Sequence, residues 1–149
     1  MGLTHVRVKV GNPADGGQSE EVRCLVDSGA VYSLIPGFVL ERLAIAPHST
    51  REFVLANGDV ISRKLATATF EFEGRRGDSM VIVGEPGDDP LLGATTLGGF
   101  GLVLDPFRRE LRPMALPLKR SDDVPPHARS HLILQSHMSY AILLSDDHG

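Results

Sequence analysis

Apolar residues fall on every second position from His5 to Val10, with Val6, Val8 and Val10 on one face, so this segment is predicted to be a half-buried strand. Asn12 to Gly17 gathers Gly, Pro, Asn and Asp and reads as a loop. Val22 to Val26 is almost continuously apolar, the pattern of a strand buried on both faces. A further strand is predicted over Val31 to Ile35, stopped by Pro36-Gly37. A short helix follows over Phe38 to Leu43, with Phe38, Val39 and Leu43 turned to the core.

The hairpin pattern sharpens in the middle of the chain. Phe53-Val54-Leu55 and Val60-Ile61 flank Asn57-Gly58, a pair suited to the positive φ angles of a type I′ turn. Leu65 to Phe72 alternates, placing Ala66, Ala68, Phe70 and Phe72 opposite Thr67, Thr69 and Glu71. Gly74 to Gly77 is read as the next turn and Met80 to Val83 as the returning strand. Pro86 to Pro90 is a loop, Leu91-Leu92-Gly93 a short apolar segment, and Ala94 to Leu97 a short helix ended by Gly98-Gly99. Leu102 to Leu104 is a strand stopped by Asp105-Pro106, and Leu111 closes the compact core. The fold class predicted from this pattern is mainly β, with one or two short helices.

From about Lys119 the pattern breaks down. Ser121-Asp122-Asp123 and Pro125-Pro126 have the composition of a linker. Two apolar patches follow, Leu132-Ile133-Leu134 and Ala141 to Leu144. The expected organisation is one domain over residues 1–117 and a C-terminal extension over 118–149, either disordered or associated with a dimer.

Composition narrows the class. The 149 residues suffice for one apolar core. Fifteen Lys and Arg against nineteen Asp and Glu leave no basic stripe, so nucleic acid is not an expected partner. The first eleven residues lack the apolar stretch of a signal peptide, and no run approaches the ~20 apolar residues that span a bilayer. No membrane association is expected. A single cysteine rules out an internal disulfide and a cysteine zinc cage, which suits a reducing cytoplasm, the expected location.

The candidate chemistry sits at Asp27-Ser28-Gly29, directly after Cys24-Leu25-Val26 and before Ala30. Acid–base hydrolysis by carboxylates needs two of them close together, sharing one proton, so that one activates water while the other polarises the scissile carbonyl. Asp27 has apolar flanks, Ser28 offers a hydroxyl to fix a pair, and Gly29 lets backbone approach closely. The motif occurs once, so a second carboxylate must come from another copy. The Asn57-Gly58 hairpin is suited to close over an extended peptide.

The order Leu25-Val26-Asp27-Ser28-Gly29-Ala30, a hairpin around Asn57-Gly58, then Leu91-Leu92-Gly93, resembles the retropepsin-like aspartic proteases over roughly Val6 to Pro113. Leu91 to Pro106 looks like the close of bacterial members. The resemblance implies a closed β-barrel-like fold with the active site on the two-fold axis of a homodimer. It implies an aspartic endopeptidase acting on peptide or protein substrates, with no metal or organic cofactor. Asp27 would be the catalytic aspartate, Ser28 the hydroxyl bracing the dyad, and Gly29 and Ala30 contacts to substrate. Ala56, Asn57, Gly58 and Asp59 would form the substrate-binding flap tip, and Leu91, Leu92 and Gly93 would support the site loop. Retroviral members usually carry an acid after the motif and an arginine after the second glycine. Here those positions are Val31 and Ala94, which suggests an apolar dimer contact instead of an ion pair.

Blander readings compete at several residues. Asp27 read alone is an ordinary turn aspartate, and the alternative function is a non-catalytic binding or dimerisation module of the same fold. Cys24 is expected to be a buried structural thiol with no His nearby in sequence. His127, His131 and His137 read as solvated, as do Arg75-Arg76 and the loop acids Asp88-Asp89. Gly77-Asp78-Ser79 is read as hairpin turn and not as a nucleophile elbow.

Overall fold

The computed structural model describes residues 4–115 and 117–120. The chain divides into two compact units, Met1–Pro113 and Met114–Gly149. In the second, the described residues 114, 115 and 117–120 carry no helix or strand. The linker, the two apolar patches and the three histidines expected beyond residue 120 lie outside the described residues.

The first unit is built from short strands. In chain order these are β1 (His5–Asn12), β2 (Asp15–Val26), β3 (Ser33–Pro36), β4 (Ser49–Val54), β5 (Val60–Phe72), β6 (Arg75–Gly84), β7 (Leu91–Leu92), β8 (Leu102–Asp105) and β9 (Glu110–Pro113). Two helices, α1 (Gly37–Arg42) and α2 (Ala94–Phe100), follow β3 and β7. Seven strands pair in the order β1-β2-β7-β3-β6-β5-β4, and an additional β1–β5 pairing joins the sheet back on itself. Strands β8 and β9 form a separate antiparallel pair.

Inside this sheet lie Val8, Val10, Cys24, Ile35, Ala66, Ala68, Phe70, Val81 and Leu92, all fully buried. The alternating valines of β1 supply one wall. Ala66, Ala68 and Phe70 supply another, where small residues beside one large ring let the layers interdigitate.

Several expectations shift in detail. The Asn12 to Gly17 segment is mostly strand: β1 and β2 meet in a tight turn at Pro13-Ala14, with a register shift at Gly11/Asn12. β2 is not buried on both faces, because Arg23 is exposed between buried Val22 and Cys24. Val31 and Tyr32 precede β3 instead of opening it. Phe38 does not enter the core: it is 58% exposed, covered on one face by the Arg42 guanidinium 4.7 Å from its ring centroid. Gly98-Gly99 lie within α2, which ends instead at Gly101 in the left-handed region, φ 68°.

The type I′ turn expected at Asn57-Gly58 forms at another hairpin. The type I′ turn is at Glu73-Gly74, where Phe72 pairs Arg75 and both turn residues have positive φ, 48° and 78°. Arg75, expected in a solvated turn, opens β6 and donates to Phe100 O at 2.6 Å. Gly77-Asp78-Ser79 is likewise strand, with Ser79 buried.

Candidate active site

Strands β2 and β3 are consecutive in sequence yet not neighbours in the sheet. Between them lies β7, parallel to β2 through Leu25↔Leu91 and Val26↔Leu92 and antiparallel to β3 through Leu34↔Leu91. The chain from 27 to 32 must therefore arch over the end of β7, and Asp27-Ser28-Gly29 is the crest of that arch.

Local hydrogen bonds fix the arch. Asp27 N–H donates to Leu92 O at 3.0 Å, extending the β2–β7 ladder by one step. Gly29 N–H donates to Asp27 Oδ1 at 3.0 Å, and Ala30 N–H to Asp27 O at 3.1 Å, so an Asx turn and a β-turn overlap on one aspartate. Asp27 and Ser28 are half-buried and Gly29 is exposed. Among the described residues the Ser28 hydroxyl has no hydrogen-bond partner.

Below the arch sits Gly93. A Cβ there would lie 2.5 Å from Tyr32 O and 2.9 Å from Ala30 O, so only glycine admits this approach. Ala94 N–H bonds Ala30 O at 2.7 Å and Thr95 N–H bonds Val31 O at 3.0 Å. Val31 itself is 55% exposed. Gly93 N–H also donates to the Ser33 hydroxyl at 2.9 Å. That hydroxyl lies 2.6 Å from Thr96 Oγ1, which is 2.9 Å from Ser79 Oγ. This buried chain of three hydroxyls ties β3, α2 and β6 together beneath the arch, with every polar atom satisfied.

Strands β4 and β5 form a hairpin where the sequence places the flap, although its turn differs from the predicted one. Leu55 N–H bonds Asp59 O at 2.8 Å and Gly58 N–H bonds Leu55 O at 2.9 Å. These bonds enclose a three-residue loop, Ala56-Asn57-Gly58, with φ positive at Gly58 alone, 91°. The Asn57 side chain accepts from Asp59 N–H at 3.0 Å and donates to the Asp59 carboxylate at 3.0 Å, which stiffens the tip. Val54 and Val60, paired across the hairpin, are 73% and 58% exposed.

Opposite pairs in an antiparallel ladder share a face. Phe53 and Ile61 thus share one face with Arg51 and Arg63. That face meets Tyr32: its ring packs edge-on against Phe53, centroids 6.3 Å apart, and Arg51 Nη1 donates to its hydroxyl. Arg63 is held by Asp88 at 3.1 Å and Glu85 at 3.3 Å. The Arg63 guanidinium holds the Asp88 carboxyl below the usual carboxylate range, so Asp88 is a partnered residue and not a solvated loop acid.

The structure thus brings together Asp27, Ser28, Gly29, Ala30, Leu91, Leu92 and Gly93, and puts Ala56, Asn57, Gly58 and Asp59 at the hairpin tip. Sequence reading missed Tyr32, Arg51, Phe53 and the Ser33–Thr96–Ser79 chain. The parity of Arg51 and Phe53 on one strand face was the available signal. A groove of about 590 Å³ is lined by Pro36, Phe38, Ile45, Val83 and Pro86, among others, but by none of the arch or flap-tip residues. Cys24 is buried as expected, and burial pushes its thiol pKa up to about 12. Among the described residues no cluster is suited to a metal ion, and no helix is long and apolar enough to cross a membrane.

Comparison with solved structures finds similar proteins. EIAV protease, solved with the inhibitor HBY-793, superposes with a TM-score of 0.52 at 16% identity, covering 78% of this chain and 94% of that one. Simian foamy virus (mac) protease gives a TM-score of 0.46 at 21% identity, covering 63% and 91%. The retroviral protease-like domain of Ddi1 from Leishmania major gives 0.49 at 16% identity, covering 83% and 99%. Comparison with curated protein sequences found no match. The family model described as aspartyl protease matches residues 6–96, from β1 through the Asp27 arch and the flap into α2. The chain therefore belongs to the aspartyl protease family and has the retropepsin-like fold.

Proposed function

We propose that the protein is an aspartic endopeptidase whose active site forms between two copies of the chain, each contributing Asp27. The observation that carries this reading is the Asp27 arch. Its main chain is pinned to Leu92 and its Oδ1 is engaged by Gly29, while the motif stays partly open to solvent. Only one Asp-Ser-Gly occurs in the chain, so the second carboxylate is supplied by a partner. The Ser28 hydroxyl, without a hydrogen-bond partner among the described residues, is available to brace the two arches, and exposed Val31 offers an apolar contact beside them.

In the proposed reaction the two carboxyl groups hold one proton between them. The ionised group takes a proton from water, whose oxygen attacks the scissile carbonyl carbon as the other group protonates the carbonyl oxygen. The tetrahedral diol then collapses: one of its hydroxyls returns a proton to the carboxylate left ionised, the C–N bond breaks, and the amine leaves with a proton from the carboxyl that accepted one from water, which restores the pair with one proton. Gly29 and Ala30 border the substrate backbone, and Ala56 to Asp59 close over it as the flap tip. Leu91, Leu92 and Gly93 hold the arch in place. The chemistry calls for no metal or organic cofactor.

The test is Asp27→Asn. Cleavage of unfolded protein or peptide substrates should fall by at least roughly a thousandfold, while sedimentation still reports a folded dimer. Undiminished activity in that variant overturns the mechanism. Activity that stays proportional to concentration far below the dimer dissociation constant overturns the shared site.

A further inference from the structure

The flap stem carries a charge that the fold itself does not use. Arg51 and Arg63 are directly opposed across β4 and β5 and share the face that meets Tyr32. Two guanidinium groups side by side repel, and each needs a counter-charge. Arg63 has two, Asp88 and Glu85. Arg51 has none: among the described residues it forms no ion pair, and its neighbour Glu52 projects from the opposite face of the strand.

Arg51 is nevertheless oriented. Its guanidinium lies 5.5 Å from the Tyr32 ring centroid and donates one N–H to the Tyr32 hydroxyl. Tyr32 is fixed in turn by Phe53 against its edge and by the main-chain bonds that tie residues 30 and 31 to α2. A guanidinium held beside an aromatic ring through one donor keeps its remaining donors in a planar fork that matches a carboxylate. Arg51 is exposed, and the tyrosine that aligns it stands five residues beyond Asp27, between the arch and the flap stem. In the protease reading above, a peptide held between the arch and the hairpin would pass Tyr32 and Arg51.

We infer that Arg51, aligned by Tyr32, receives a carboxylate of the substrate and makes the enzyme prefer peptides with an acidic side chain a few residues from the scissile bond. The inference rests on the protease reading above and adds its substrate class. Arg63 cannot serve in the same way, since its fork is filled from within the chain.

The test uses the full-length protein and a peptide series in which each position flanking the cleaved bond is Glu or Gln in turn. A second pair ends in a free acid or an amide, which separates a side-chain carboxylate from a chain terminus. At one position Glu should exceed Gln in kcat/KM by roughly tenfold to a hundredfold, the range of a charge-assisted hydrogen bond closed off from water. Arg51→Gln should collapse that ratio toward one, and Arg51→Glu should invert it in favour of Gln. Tyr32→Phe keeps the ring but removes the hydroxyl, and should shrink the ratio through KM with little change in kcat. The Asp27→Asn protein supplies a readout free of catalysis: it should bind the Glu peptide more tightly than the Gln peptide, and Arg51→Gln in that background should not. Equal treatment of Glu and Gln at every position by wild type overturns the inference, as does a preference that survives Arg51→Gln. A preference for the free-acid terminus alone overturns the side-chain form. Failure to cleave any peptide overturns the protease reading instead, and the binding comparison in Asp27→Asn then decides this one separately.

Discussion

Replacing Gly93 by alanine adds one methyl group where the fold has no room for it. The new Cβ would meet Tyr32 O at 2.5 Å, Tyr32 C at 2.6 Å and Ala30 O at 2.9 Å. All three are main-chain atoms, so no rotamer change relieves the contact. The backbone of Gly93 is itself permissive, with φ −95° and ψ 176°, so any effect is steric and not conformational. Real Cβ atoms keep at least 3.0 Å from such neighbours, so the 30–32 segment must retreat by about 0.5 Å or more. That movement stretches the bonds from Ala94 N–H to Ala30 O and from Thr95 N–H to Val31 O, now 2.7 and 3.0 Å. Overpacking costs about 1–3 kcal/mol and each weakened bond up to about 1 kcal/mol more, giving an expected loss of about 2–4 kcal/mol. For a domain of ordinary stability that is a large fraction of the total. Gly98→Ala is the matched control. It lies inside α2 with nothing within 4 Å of where the added methyl group would sit, and alanine there should gain about 0.5–1 kcal/mol. Urea unfolding at fixed protein concentration, followed by far-ultraviolet circular dichroism, reads both midpoints. The steric argument fails if Gly93→Ala unfolds within about 0.5 kcal/mol of wild type, or if the two alanines shift the midpoint in the same direction by the same amount.

Two further outcomes are expected. Thr96→Val keeps the shape but removes the middle of the Ser33–Thr96–Ser79 chain; it should cost about 1–3 kcal/mol in the same unfolding assay, whereas Thr96→Ser should recover most of it. Equal losses in the two variants would mean that the methyl group matters as much as the hydroxyl, and an unchanged Thr96→Val would refute the role given to the hydroxyl. The Cys24 thiol, raised to about 12 by burial, stays protonated in the native state above the pH at which an exposed thiol ionises. The unfolded chain then releases a proton that the native state retains, so stability should fall as pH rises from about 9 toward 12. Iodoacetamide at pH 8.5 should label native protein at least roughly a hundredfold more slowly than the chain in guanidinium; comparable rates would place the thiol at the surface.

The candidate site was legible in sequence where its residues are contiguous and chemically distinctive. Asp27-Ser28-Gly29 and Leu91-Leu92-Gly93 each read as a unit, and the fold lays one beneath the other. What sequence did not reveal depends on residues brought together from afar. Tyr32 and Arg51 lie nineteen positions apart and meet only because β4 folds back over the arch. Ser33, Ser79 and Thr96 look like solvent-facing hydroxyls until three elements bury them together. The turns were misread for a different reason. Asn57-Gly58 has the composition of a type I′ turn, but the Val54↔Val60 register leaves five residues between the strands and selects a three-residue loop within them. Glu73-Gly74 lacks the usual asparagine, yet the paired strands on either side leave only two residues to turn.

The insertion of β7 between β2 and β3 also sets when the site can exist. Leu25 and Leu91 are partners across sixty-six positions of chain, and Asp27 N–H has its acceptor only in Leu92. During synthesis the aspartate emerges early, but the strand beneath it emerges only after most of the domain has been made. Long-range pairing of this kind forms late and slowly. The sixty-odd residues between the motif and Leu91-Leu92 must therefore be made before the platform that shapes the motif exists. The order of residues along the chain delays the shaping of the Asp27 arch until the domain is nearly complete.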